Sequence, residues 1–187
     1  MTESDAALLM HSAAGDRSAF DRFVERHQAA VMRLLLAGAD SPDDAEDALQ
    51  EAFLGAWRSA STFAGTESAR GWILTIARNA LRRQYRRRVG EPSEFVSLDE
   101  LGRSAGWGSE DPSDAVYARV ETRERLAAAL RGLQASDREV LVLRDLEELS
   151  GEATAAALGI TVRAMKSRLH RARLRLAAEL RGQHAGA

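Results

Sequence analysis

The sequence predicts an all-α protein: two small helical domains joined by a flexible acidic linker, the second a four-helix domain with a helix-turn-helix. Three observations carry this. Apolar residues recur at spacings of three and four along most of the chain, and no convincing strand alternation interrupts them. Residues 89–114, "VGEPSEFVSLDELGRSAGWGSEDPSD", hold four of the 14 glycines and two of the three prolines with no sustained period, the composition of a linker. A fresh helical pattern, with its own caps and glycine turn, then starts near Ala115. The predicted units are therefore 1–88, the linker 89–114, and 115–187. A linker of that composition predicts two separately folding halves with few contacts between them.

The elements follow in order. A first helix near 5–14 ends at Gly15-Asp16. A second, about 17–37, sets Phe20, Phe23, Val24, His27, Val31, Leu34 and Leu35 on one stripe. Ser41-Pro42-Asp43-Asp44 is a helix start: a hydroxyl cap, proline at the first helical position, then acids facing the positive end of the dipole. That third helix runs to about Ser59 and buries Ala45, Ala48, Leu49, Ala52, Phe53, Ala56 and Trp57. A fourth, about 68–88, turns Trp72, Ile73, Ile76, Ala77 and Leu81 inward. Beyond the linker, Ser136-Asp137-Arg138-Glu139 predicts a capping box, Ser150 caps the next helix, and Thr161 caps the last.

Composition excludes several functions. With 45% apolar and 29% charged residues the chain is globular. It has no cysteine, and its four histidines show no ligand spacing, so no metal site and no cofactor are expected. No apolar run approaches the ~18 residues of a membrane span, and "MTESDAALLM" lacks the basic flank of a secretory signal. A cytoplasmic protein without membrane insertion is expected. No nucleophile, carboxylate pair or phosphate-cradling glycine loop suggests an enzyme.

The net charge of −2 conceals segregation. "DSPDDAEDALQE" (40–51) has acids and no base; "RNALRRQYRRR" (78–88) has arginines and no acid; 162–181 is basic again. Single charge blocks are usually solvated helix faces, but two basic blocks around an acidic one suggest separate partner surfaces. The stretch "AMKSRLHRARLRL" (164–176), with the chain's only lysine, sorts into two faces. Val162, Met165, Leu169, Ala172 and Leu176 form an apolar stripe; Arg163, Lys166, Ser167, His170 and Arg171 lie opposite. A membrane-surface helix would leave its stripe uncovered, whereas the helix of about 150–158 stands just upstream, joined through Leu158-Gly159-Ile160. Helix, glycine turn and exposed basic helix make a helix-turn-helix whose second helix enters the major groove. Lys and Arg can reach guanine edges or phosphate, Ser and His base edges, while Arg168, Arg173 and Arg175 suit the backbone.

"LGITVRAMKSRLHRARLRL" resembles the −35-reading motif of bacterial sigma factors of the extracytoplasmic-function (ECF) group of the sigma-70 family. "DAEDALQEAFLGAWR" is similar to that family's polymerase-binding helix, and "ARGWILTIARNALRRQYRRR" to its −10-recognition helix. The resemblance implies an alternative sigma factor that binds core RNA polymerase, directs it to promoter DNA and assists melting, without catalysis. It assigns polymerase binding to Asp47, Gln50 and Glu51. It assigns −10 recognition to the loop Gly65, Thr66, Glu67 and Ser68 with Trp72, Arg78, Asn79, Arg82, Arg83 and Arg86. It assigns −35 recognition to Arg163, Lys166, Ser167, Arg168, His170, Arg171 and Arg173. An anti-sigma factor is an implied partner, the free chain an implied monomer, and a stress response the implied setting. Arg83 departs from the family, which commonly has an aspartate there. The other reading of a helix-turn-helix chain is a dimeric repressor with a ligand-sensing first domain; binding to core polymerase as a monomer separates the two.

Overall fold

The computed structural model describes residues 3–65, 68–87 and 125–184, and no strand occurs among them. The linker 89–114 and the predicted helix start near Ala115 lie outside the described residues, as do Thr66 and Glu67. Helix α1 spans Asp5–Ala13, α2 Arg17–Gly38, α3 Pro42–Ser59 and α4 Ala69–Arg87, with a 3-10 turn at Ala60–Thr62. Residues 125–131 form α5, followed by α6 (Ala135–Leu141), a π-helical turn (Val142–Leu146), α7 (Gly151–Leu158) and α8 (Val162–His184).

Local chemistry sets the boundaries. The Ser4 hydroxyl accepts from the Ala7 amide at 3.2 Å, the Asp16 carboxylate from Ala19 at 3.1 Å, and the Ser41 hydroxyl from Asp44 at 3.1 Å. Each satisfies one of the amides a helix start leaves open. Alanines 45, 48, 52 and 56 line the buried face of α3, so α4 approaches closely and buries Ile73 and Leu74 completely. Each such side chain contributes about 1.5–3 kcal/mol of burial. Phe20 stands edge-on to Trp57 at 5.1 Å, closing α2 against α3.

Two expectations need correction. The capping box does not form: α6 starts at Ala135 after Gln134, which gives no side-chain cap. The acids that would have served the box are taken by arginines, Asp137 by Arg175 and Glu139 by Arg78.

The second correction is larger. The two domains are in contact rather than apart, for one apolar cluster runs from Leu8 through Leu74 and Leu81 to Val140, Leu149, Leu158 and Ala172. Helix α4 packs on α7, and α2 on α6 and the π-helical turn. Gly38 at the end of α2 makes room for this, since a Cβ there would meet the Glu139 Oε1 at 3.0 Å and the Leu81 Cδ2 at 3.2 Å. Linker composition governs the tether and says nothing of the faces it joins.

Candidate nucleic-acid interface

Helix α7 ends in a Schellman geometry. Gly159 sits at φ 65°, ψ 37°, the Ile160 amide donates to the Ala155 carbonyl and the Gly159 amide to Ala156, both at 3.0 Å. A Cβ is strained at that φ, which is why glycine stands there. Two residues on, the Thr161 hydroxyl accepts from the Ala164 amide at 3.1 Å and starts α8.

Helix α8 presents the two faces the sequence separates. Met165, Leu169 and Ala172 are buried; Arg163, Lys166, Ser167, His170 and Arg171 are exposed on the other side, with Arg168 half-buried. Arg173 is exposed but engaged, its guanidinium donating from Nε at 3.0 Å and Nη2 at 2.5 Å to the Asp145 carboxylate. Those hydrogen bonds hold its pKa above the ordinary arginine value. Arg175 pairs likewise with Asp137.

The second basic helix is less uniform than its sequence. Ser68 is exposed at the start of α4, and Gly65 precedes it at φ 72°. Trp72 is half-buried against Phe63 with ring centroids 5.4 Å apart, so packing holds one face of the indole. Asn79, Arg82 and Arg86 are exposed. Arg83 donates from Nε (3.2 Å) and Nη2 (3.1 Å) to Glu51 of α3, so the residue at the usually acidic position joins the arginine helix to the acidic one.

Arg78 points elsewhere: it is 8% exposed, bonds Glu139 at 3.1 Å, and donates to the carbonyls of Ala157 (3.3 Å) and Leu158 (3.1 Å). Those carbonyls end α7, where the dipole favours a cation. In this structure Arg78 serves the contact between the halves, unlike its neighbours Arg82 and Arg86.

That contact holds further charges the sequence does not single out. The Glu147 carboxylate is wholly buried and takes Arg33 of α2 at 2.7 Å and Arg70 of α4. It is turned inward just ahead of Glu148, a non-glycine residue at φ 54°, a backbone that costs about 1–2 kcal/mol. Arg138, 7% exposed, donates to the Ala37 carbonyl of α2 at 2.8 Å and to the Leu133 carbonyl at 2.5 Å. The Arg70 Nε is buried without a hydrogen-bond partner, a defect of about 1–3 kcal/mol.

The acidic edge of α3 carries Asp47 and Gln50, both exposed, and Glu51, half-exposed. Leu54, 55% exposed, continues that edge one turn on. Its signal was available, since 47, 50, 51 and 54 share a helical face. Among the described residues no His, Asp or Glu cluster could hold a metal, and no helix is long and apolar enough to cross a membrane.

Family models match in two places: sigma-70 region 2 over residues 23–90, and sigma-70 region 4 over residues 123–176. The sigma factor CnrH of Cupriavidus metallidurans is 32% identical, over 95% of each chain. The ECF sigma factor SigM of Mycobacterium tuberculosis is 35% identical over 93% of this chain and 83% of its own. The structure of CnrH with the cytosolic domain of CnrY covers 96% of this chain and 99% of that one, with a TM-score of 0.66 at 28% identity. RpoE of Bartonella quintana, solved with the anti-sigma factor NepR, matches with a TM-score of 0.68 at 27% identity, covering 87% and 96%. The two regions in this order, with relatives matched nearly end to end, make the chain a member of the ECF sigma factors, the alternative subunits that direct RNA polymerase to promoters.

Proposed function

We propose that the exposed face of α8 reads the −35 element through Arg163, Lys166, Ser167, His170 and Arg171, with Arg168 and Arg173 on the backbone. The observation that carries this is the partition of one helix: Met165, Leu169 and Ala172 fill the core while five polar or cationic neighbours share the opposite face. Lysine and arginine match the paired acceptors of guanine in the major groove. The −10 element is met by Asn79, Arg82 and Arg86 beside Trp72 and the loop Gly65, Thr66, Glu67 and Ser68, where a base lifted from the stack needs an edge of polar groups. Arg78 and Arg83 lie on the same helix but are engaged by Glu139 and Glu51 in the free chain.

Asp47, Gln50, Glu51 and Leu54 dock on core polymerase: acids steer the encounter and the leucine supplies apolar area. The chain makes no bonds of its own and acts as a monomer in the cytoplasm, where its polymerase is. An anti-sigma factor is a partner class, as NepR is for the Bartonella protein.

The test is transcription in vitro from a genomic promoter library with core polymerase plus this chain. Promoter-selective initiation is expected, with start sites sharing −35 and −10 elements. No selective initiation with active core enzyme refutes the reading.

A further inference from the structure

Arg173 and Arg83 hold their carboxylates in different ways. Arg173 places one donor on each oxygen of Asp145, Nε on Oδ2 and Nη2 on Oδ1, a closed fork. Arg83 places both donors, Nε at 3.2 Å and Nη2 at 3.1 Å, on the single oxygen Oε1 of Glu51. The second oxygen, Oε2, takes no donor among the described residues, on a side chain 37% exposed. An ionised carboxylate accepts at about four lone-pair positions. Glu51 is therefore fixed by one oxygen and open at the other.

The open oxygen lies on the acidic edge of α3, where Glu51 shares a helical face with Asp47, Gln50 and Leu54. Arg83 reaches that edge from α4, which packs along α3. In this position its guanidinium is a poor phosphate ligand. A phosphate on the remaining donors would sit beside the Glu51 carboxylate, and a pair without net charge has little counterion release to offer. Arg82 and Arg86 differ in this respect, being exposed and without an acid partner among the described residues. An aspartate at 83, the commoner residue of the family, would set a second acid against Glu51 and leave it unheld.

We infer that Arg83 is a positioning residue of the polymerase-docking edge: by gripping Oε1 it holds Glu51 with Oε2 presented to a donor of the partner. This rests on the proposed docking of α3, and it moves Arg83 from the −10 surface to that edge. A glutamate loses side-chain freedom when a partner immobilises it, and here the free chain has already fixed it. Arg83 also cancels the charge of Glu51, which slows encounter with a basic partner. The two effects oppose each other but act on different rates, orientation on dissociation and charge on association. At about 0.15 M salt the Debye length is ~8 Å, so the long-range charge effect is screened and dissociation decides. An exposed ion pair contributes modestly, so the expected change is about three- to fivefold.

The test follows binding of the full-length chain to core polymerase by surface plasmon resonance at about 0.15 M salt. Arg83→Met keeps the stem and removes the donors, and dissociation should quicken about three- to fivefold. Arg83→Lys, with the charge but not the fork, should fall between. In the Glu51→Ala background Arg83→Met should add less than about 1.5-fold. Melting temperatures should stay within about 2 °C of the parent's.

Affinity in Arg83→Met equal to or above the parent's overturns the inference, and so does an equal loss with and without Glu51. A loss that comes with a larger fall in melting temperature makes the pair a contact of the fold and also overturns it. With polymerase saturating, the logarithmic salt slope of promoter binding should fall by about 0.9 in Arg82→Met and stay level in Arg83→Met. An equal fall in both returns Arg83 to the phosphates. If Gln50→Ala/Leu54→Ala binds core polymerase as the parent does, the docking edge itself is refuted. If that variant weakens binding and Arg83→Met does not, only the part given to Arg83 fails.

Discussion

Met165 and Lys166 are adjacent in sequence and opposite in exposure, so they make a paired test of the reading helix. Met165 is 1% exposed and lies in the seam between α7 and α8, where a Cβ added to Gly151 would come within 3.3 Å of its Cε. Met165→Ala removes a packed side chain there and should cost about 2–5 kcal/mol, the range for large-to-small core changes. Met165→Asp adds the effective penalty of a buried carboxylate, several kcal/mol more. A unit the size of residues 125–184 has a total stability of about 3–9 kcal/mol at roughly 0.05–0.15 kcal/mol per residue. The aspartate therefore exhausts it and the alanine leaves a marginal fold. Lys166→Ala should stay within about 0.5 kcal/mol and instead relax −35 preference by ~1–3 kcal/mol at its own base position. Urea unfolding followed by helical circular dichroism gives the stabilities, and a promoter-sequence selection gives the preference. A Met165→Ala shift below about 0.5 kcal/mol refutes the buried assignment. A Lys166→Ala variant with unchanged preference at every position refutes the reading face.

The other surfaces yield shorter tests. Gln50→Ala/Leu54→Ala should weaken binding to core polymerase about tenfold with no loss of stability, since both side chains are exposed; equal affinity removes the docking edge. Arg82→Glu/Arg86→Glu should lower promoter affinity and flatten its logarithmic salt slope by about 1.4–1.8, and an unaltered slope means neither touches phosphate. Burial holds the His27 imidazole below its ordinary pKa of 6.5, with Asp5 opposing. The unfolded chain then takes up the proton first as pH falls through about 6.5, so stability is full above that value and declines below it. His27→Gln should remove this part of the decline in a melting series, and an identical series in the variant rules His27 out. Cleavage at a protease site engineered into 89–114 should leave two fragments that co-elute at low salt, because α2 and α4 pack on α6 and α7; fragments that separate at once refute the shared core.

What the sequence made legible was local. The caps at Ser41, Ser150 and Thr161 each act within three residues, and the stripes of α2, α3 and α8 follow from period alone. The turn at Gly159 was readable because a helix commonly ends on a left-handed residue, a backbone that favours glycine. What escaped was long-range. Arg78 and Arg82 sit one turn apart in the same arginine-rich run, and nothing near them distinguishes one from the other. The difference lies 61 residues along the chain, at Glu139. Glu147 reaches Arg70 and Arg33 across 77 and 114 residues. Asp137 and Glu139 looked like cap acids because their real partners are equally remote. Helical period places a residue on a face but does not name what that face meets.

The close approach of α2 to Glu139 at Gly38 also bears on protein engineering. Hybrids that graft the C-terminal half of one such chain onto the N-terminal half of another treat the two as interchangeable cassettes. A donor half lacking Glu139 and Glu147 would leave Arg33, Arg70 and Arg78 of this chain's α2 and α4 without their carboxylates. Such a hybrid should lose part of the contact that holds its halves together. The portable part is thus the exposed face of α8 alone, carried on a helix whose buried Met165, Leu169 and Ala172 stay native.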